Sequence, residues 1–311
     1  MKTVFLFPGQ GSQKVGMVKD LYEKYDSVKA LIHEADEALG FSISQMMFEG
    51  PDTELMKTEF TQPAILTASV ACWKVLGEHG VAPEAAAGHS LGEYSALVAA
   101  GALSFADAVT TVHLRGKFMQ EAVPLGEGGM AAVIGLAPEA IVDVCAKVSE
   151  TAGPVQAVNF NCPGQTVIAG ATRAVEAACT ALKEAGAKRV LPLKVSGPFH
   201  SKMLVGSGEK LGKVLDTVEI HTPEIPYIAN VTADYVTDAA DVKPLLMKQV
   251  SSSVRWEQTI RKMLADGVDT FIEIGPGKTL TGFMRKIDKN AKAFNIEKLE
   301  DIDKVKEALG C

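Results

Sequence analysis

The pentapeptide Gly88-His89-Ser90-Leu91-Gly92 is the tightest constraint on how this chain folds. A short run of small apolar residues, Ala85 to Ala87, precedes it, and Glu93 to Ala100 after it has helical spacing. A G-x-S-x-G segment between a strand and a helix is the setting of a nucleophile elbow. The turn is sharp, and side chains in place of the flanking glycines would collide with neighbouring backbone. The serine then sits at a helix N-terminus, where free amides and the helix dipole favour developing negative charge. In a chain with 28 glycines the same pattern also arises as a plain glycine-rich turn. The strand before it and the helix after it favour the elbow.

The rest of the chain alternates strands with helices, the pattern of a parallel sheet covered on both faces. Val4 to Phe7 is an apolar run stopped by Pro8-Gly9 and predicts a buried strand. Thr61 to His79 predicts a helix, and Ser104 is a good N-cap for another that reaches Ala122. The rhythm changes at the Gly- and Pro-rich stretch from Pro124 to Gly129. Strands are predicted over Met130 to Leu136, Val155 to Asn159, Thr166 to Ala169 and Arg189 to Val195. Helices are predicted over Pro138 to Glu150 and Thr172 to Ala185. This β-α-β-β-α-β order is ferredoxin-like. The expected organisation is an α/β catalytic subdomain, residues 1–125 and 197–311, with an inserted ferredoxin-like subdomain, residues 126–196. Pro226 to Ala229, Thr270 to Ile274 and Ala293 to Ile296 predict the later strands of the main sheet.

A chain of 311 residues suits one large domain or a domain with an insert. Its net charge of −7 argues against nucleic acid as a partner. The five cysteines, Cys72, Cys145, Cys162, Cys179 and Cys311, form no C-x-x-C pair and are odd in number. That excludes a disulfide framework or zinc site as the expectation and fits a reducing cytoplasm. The apolar start, Met1 to Phe7, is too short for a signal peptide, and no run is long enough to span a bilayer, so no membrane partner is expected.

A serine nucleophile needs a base, and six histidines are available. His89 is expected to point away across the turn. His33 and His79 lie on surface helices, His113 shares a helix with Arg115, and His221 precedes Thr222-Pro223 in a loop. His200 lies in Ser196-Gly197-Pro198-Phe199-His200-Ser201, where the insert rejoins the main sheet, and such junctions line clefts. A solvated loop histidine is the other reading of that residue. Arg115, one helix beyond the elbow, is either a surface arginine or a planar fork for a substrate carboxylate. Phe7-Pro8-Gly9-Gln10-Gly11-Ser12-Gln13 leaves the first strand at its carboxyl end, as a ligand-binding loop or a plain turn. Gly275-Pro276-Gly277-Lys278-Thr279 suggests a phosphate loop, but Ile272 stands where a Walker A motif needs glycine.

Taken together, these segments resemble the malonyl-CoA:acyl-carrier-protein transacylases of type II fatty acid synthesis. The resemblance covers nearly the whole chain. It rests on the loop from Phe7 to Gln13, the elbow through Tyr94, and Arg115-Gly116-Lys117-Phe118-Met119-Gln120. It also rests on Asn159-Phe160-Asn161-Cys162-Pro163-Gly164-Gln165, Gly197 to Ser201, and Glu273-Ile274-Gly275-Pro276-Gly277. It implies a hydrolase-like α/β core with a mostly parallel sheet and a ferredoxin-like insert. It implies that Ser90 is the nucleophile, that His200 is its base, and that a backbone carbonyl at Gln249 orients the imidazole in place of an aspartate. The amides of Gln10 and Leu91 would form the oxyanion hole, and Arg115 would hold the malonyl carboxylate. Phe199, Met119, Asn159 and Asn161 would line the pocket. No metal and no cofactor is implied; the partners are malonyl-CoA and acyl carrier protein. Such carriers are acidic, and from Ala187 to Leu215 this acidic chain gathers Lys188, Arg189, Lys194, Lys202, Lys210 and Lys213 against Glu209 alone. A hydrolase on the same core and a non-catalytic scaffold are the rival classes. A simple acyl substrate gives Arg115 nothing to grip, and the intact Ser90, His200 and Arg115 set argues against a scaffold.

Overall fold

The computed structural model describes residues 2–195 and 197–310. Met1, Ser196 and Cys311, at the ends of the expected segments, lie outside the described residues. The strands are β1 (Thr3–Phe7), β2 (Ala85–Gly88), β3 (Gly128–Ile134), β4 (Val155–Cys162) and β5 (Gln165–Ala171). They continue with β6 (Arg189–Pro192), β7 (Tyr227–Ile228), β8 (Tyr235–Val236), β9 (Thr270–Ile274) and β10 (Lys292–Ile296). The main sheet has the order β10-β9-β1-β2-β7-β8. All its pairs are parallel except β7 with β8, a short antiparallel edge hairpin that the sequence reading did not include.

β1, β2 and β9 are buried along their whole length, because helices cover both faces of the sheet. Successive residues therefore feed different cores. Phe5 and Phe7 of β1 pack with Tyr94, Leu97 and Val112 on one face, while Val4 and Leu6 pack with Ile228, Trp256 and Ile260 on the other. The helix expected from Thr61 runs over Thr58–Glu78 and is buried almost all round, packed against β9 and the helix Phe105–Glu121. Ser104 caps the latter by accepting the Asp107 N–H at 3.0 Å.

The second sheet is antiparallel with order β4-β5-β3-β6. The helices Pro138–Ala152 and Thr172–Glu184 cover one face, and Ala131, Val133, Ile141, Ala178 and Leu182 form its separate core. All four strands differ in their bounds from expectation: β4 and β5 run longer, over Val155–Cys162 and Gln165–Ala171. β3 stops at Ile134 because Gly135 takes φ +79°. β6 stops at Pro192, an exposed edge, although Leu193 N–H still donates to Met130 O at 2.9 Å. Backbone ties link the sheets: Phe160 N–H donates to Val254 O at 2.9 Å, and Val254 N–H donates to Val158 O at 2.8 Å.

The elbow between β2 and the helix Gly92–Ala99 explains its glycines by contact. A Cβ on Gly88 would lie 1.9 Å from the carbonyl carbon of Gly92, and one on Gly92 would lie 2.1 Å from Phe7 O. The second contact packs the elbow against the end of β1, where His89 N–H donates to Phe7 O at 2.9 Å. Gly92→Ala must therefore push β1 and the elbow apart. Urea unfolding should show a loss of about 3 kcal/mol or more, at the upper end for overpacking. A loss no larger than that of an exposed Gly→Ala change would mean that the contact relaxes freely.

Candidate active site

Three chain reversals at the carboxyl ends of β1, β2 and β7 converge, the place where open α/β sheets bind ligands. They bring Gln10, Ser90 and Asn230 together. Ser90 takes φ +54°, a left-handed conformation that a non-glycine residue adopts only when its surroundings hold it there. Asn230 supplies that hold. Its Oδ1 accepts the Ser90 N–H and its Nδ2 donates to Gly88 O, both at 2.7 Å.

Ser90 Oγ lies 2.7 Å from His200 Nε2. His200, itself at φ +62°, is buried, and its Nδ1 lies 2.9 Å from Gln249 O. A carbonyl only accepts, so Nδ1 carries the proton and Nε2 presents its lone pair to the serine hydroxyl. Burial, followed by the Arg115 charge, pushes the His200 imidazole down to about 3, so it stays neutral at physiological pH.

Arg115 is 1% exposed, which rules out the surface reading. Its Nη1 donates to Gln62 Oε1 at 2.7 Å, and its Nη2 donates to Gln249 Oε1 at 2.9 Å and to Ser90 Oγ at 3.2 Å. Burial pulls its pKa below the usual arginine range. The backbone amides of Gln10 and Leu91 donate to no group among the described residues, and Leu91 immediately precedes the helix that starts at Gly92.

A cavity of about 120 Å³ opens over these groups. Gln10, Ser90, Leu91, Met119, Asn159, Phe199 and His200 line it, together with Gln62, His89, Met130, Leu193 and Val195. Asn161 stands one step behind, accepting from His89 Nε2 at 2.9 Å. That bond ties the elbow to β4, and His89 is part of the cavity lining. His113 is engaged elsewhere, with Nδ1 2.8 Å from Glu59 O.

The sequence reading missed Glu93, Asn230 and Gln62, and it saw only the backbone of Gln249. Glu93 follows the elbow directly, so a carboxylate inside an otherwise apolar helix start was the available signal. Asn230 and Gln62 carry no motif. The Gly275 to Thr279 segment is closed to phosphate by its own carboxylates. Gly277 N–H donates to Glu297 Oε2 at 2.9 Å, and the Leu280 and Thr281 amides donate to Glu273 at 3.0 and 2.7 Å. Among the described residues no three His, Cys, Asp or Glu side chains are grouped to hold a metal ion.

The imidazole can be followed by itself. Because its pKa lies near 3, the His200 ring resonances should not move between pH 8 and pH 5 in NMR spectra. A midpoint near the ordinary value of about 6.5 would contradict the buried, neutral ring. The same shift weakens folding as pH falls from about 6.5 toward 3, since over that window only the unfolded chain takes up the proton.

Comparison with known proteins adds four findings. The family model described as an acyl transferase domain matches residues 4–302. A Bacillus subtilis protein named malonyl CoA-acyl carrier protein transacylase is 52% identical over 302 residues, which is 97% of this chain and 95% of that protein. Among solved structures, an acyl carrier protein S-malonyltransferase from Vibrio cholerae is 46% identical with a TM-score of 0.96, over 98% of this chain and 100% of that one. A malonyl-transacylase solved in complex with a type II PKS acyl-carrier protein is 43% identical with a TM-score of 0.96, over 99% of this chain and 100% of that one.

Proposed function

The chain belongs to the acyl transferase family, and we propose that Ser90, His200 and Arg115 carry its reaction. That reaction is transfer of a malonyl group from malonyl-CoA to the phosphopantetheine thiol of acyl carrier protein, which supplies fatty acid elongation. One observation supports the assignment most: a single hydroxyl, Ser90 Oγ, lies 2.7 Å from a neutral imidazole and 3.2 Å from a buried guanidinium. The imidazole activates the hydroxyl, and the guanidinium selects an acyl group that ends in a carboxylate.

The steps follow from these positions. His200 Nε2 takes the Ser90 proton as Oγ bonds to the thioester carbonyl carbon. The Gln10 and Leu91 amides receive the oxyanion, each such donor being worth roughly 3–4 kcal/mol to the transition state. The carbon–sulfur bond breaks, and the imidazolium returns its proton to the coenzyme A thiolate. The carrier thiol then gives its proton to Nε2, attacks the malonyl-serine ester, and leaves with the malonyl group as Ser90 is reprotonated. Gln249 O keeps the imidazole in the required tautomer throughout. Phe199, Met119 and Asn159 shape the cavity, and Asn161 fixes its His89 wall.

The assignment includes a catalytic subdomain of residues 1–125 and 197–311 and an insert of 126–196. It also places the protein in the cytoplasm. The four cysteines among the described residues are free, and no described helix is long and apolar enough to cross a membrane.

Mixing the enzyme with malonyl-CoA alone should leave a malonyl adduct on the Ser90 peptide in mass spectra, absent in Ser90→Ala. An adduct persisting in that variant, or rapid release of free malonate without a carrier, would overturn the transferase assignment of this serine. Arg115→Ala should lower kcat/KM for malonyl-CoA about 100-fold more than for acetyl-CoA, the equivalent of ~3 kcal/mol for a hydrogen bond to charge. Arg115→Lys should rescue poorly, because an ammonium lacks the planar fork. Equal losses on both substrates would make Arg115 structural.

The carrier half-reaction tests the cationic segment. Lys188, Arg189, Lys194, Lys202, Lys210 and Lys213 are all exposed, around the edge strand β6, on the short turn Lys202–Leu204 and along the helix Val205–Leu215. Reversing Lys202 and Lys213 to glutamate should raise KM for the carrier severalfold and leave malonylation of Ser90 unchanged. The wild-type carrier KM should rise with salt, which screens exposed charges over about 10 Å at 0.1 M. An unchanged carrier KM in the double variant would move the docking surface elsewhere.

A further inference from the structure

The carboxyl of Glu93 takes no part in the steps above, yet the hydrogen bonds of the site run through it. It is fully buried. Its Oε2 accepts the Asn230 N–H at 2.9 Å and the Gln249 side-chain amide at 2.8 Å, while Oε1 has no partner among the described residues. Gln249 Nε2 also donates to Ser90 O at 2.9 Å, and Gln249 Oε1 accepts from Arg115 Nη2 at 2.9 Å.

Two buried charges therefore lie at opposite ends of one carboxamide. A carboxylate only accepts and a guanidinium only donates. The Gln249 dipole is aligned with both, its NH₂ toward Glu93 and its oxygen toward Arg115. Among the described residues no charged group is hydrogen-bonded to Arg115: its bonds run to the uncharged oxygens of Gln62, Ser90 and Gln249, and Nε has no partner. A direct Glu–Arg pair would occupy the fork that a substrate carboxylate needs. An anion placed one side chain away compensates the buried cation and keeps a second carboxylate off the fork.

We propose that Glu93 is a positioning residue for carboxylated acyl groups, acting through the Gln249 carboxamide to hold the Arg115 guanidinium ready for the substrate's own carboxylate. Burial pushes the Glu93 carboxyl up to about 7, with the Arg115 charge among the influences that pull it down, so the two sites are coupled. Protonation on the free Oε1 still leaves Oε2 as the acceptor. The inference rests on the assignment of Ser90 and Arg115 above, and it predicts a defect confined to substrates that use the arginine.

Glu93→Gln keeps the shape and removes the charge. At pH 8, where the wild-type carboxyl is ionised, three reactions of Ser90 are compared: with malonyl-CoA, with acetyl-CoA, and with phenylmethanesulfonyl fluoride, which has no carboxylate. In the variant kcat/KM for malonyl-CoA should fall about tenfold, mostly through KM, as for coupled neighbours, while the other two rates stay within about twofold. Equal loss in all three would make Glu93 merely structural, and no loss with malonyl-CoA would remove it from substrate binding; either overturns the inference. If wild-type Ser90 takes up no malonyl group at all, the assignment beneath fails and the inference with it. Gln249→Met keeps the backbone carbonyl that faces His200 and removes the relay. Its KM for malonyl-CoA should rise even if Glu93→Gln does not fold, and an unchanged malonyl-CoA KM in Gln249→Met overturns the inference.

Discussion

A guanidinium withdrawn from water is an expensive group to place in a protein, and the site is organised around the one on Arg115. Burying an ion costs several kcal/mol even after the surroundings relax, unless donors and acceptors replace the lost water. Here the replacements come from three separate elements: Gln62 on the helix Thr58–Glu78, Ser90 on the elbow, and Gln249 at the end of the helix Ala239–Gln249. Each must be in place for the charge to be tolerated. The folded core therefore fixes the arginine, and the arginine in turn penalises any packing that leaves its partners out.

The same charge sets the chemistry of its neighbours in opposite senses. A donor 3.2 Å from Ser90 Oγ favours its ionised form. A cation near His200 disfavours the imidazolium and, after burial itself, helps hold the ring near 3. A base works best when its pKa lies near the working pH, so in the free protein the proposed pair is biased toward a good nucleophile and a weak base. Negative charge brought against the guanidinium cancels part of that pull by Coulomb's law. The Gln249 carbonyl works independently of charge, since it fixes which ring nitrogen holds the proton.

Backbone geometry carries the remaining strain. Ser90 and His200 both lie at positive φ, and neither has the freedom of glycine. The elbow is held from below by Asn230 and packed from the side by Phe7 O against Gly92. The insert closes the other side. β4 is bonded to Val254 of the core, and Asn161 near its end meets His89 beside the nucleophile. The cavity wall therefore consists of residues from both sheets, and the tie between them limits how far the wall moves.

The residues determined the local structures by themselves. Glycine spacing and a strand-then-helix pattern located the elbow, short apolar runs located β1 and β2, and the alternation of elements implied the second sheet. These signals are legible because each arises from neighbours within a few residues: a steric limit at a turn, or a period along one element. The short hairpin of β7 with β8 and the exact ends of β3 and β6 were not legible, because pairing partners and single glycine conformations decide them. The site divides the same way. Ser90 stands inside a motif, whereas His200 and Arg115 on spacing alone could equally have been a solvated loop residue and a surface cation. Only the tertiary structure placed Arg115 in the interior, made His89 part of the cavity lining, and joined Glu93, Asn230, Gln62 and the Gln249 side chain into one network. The bonds that join them to the site span up to 159 positions, from Gln249 to Ser90, and a hydrogen bond across that separation leaves no periodic trace in the chain. Its existence depends on the sheet bringing the ends of β1, β2 and β7 to one point.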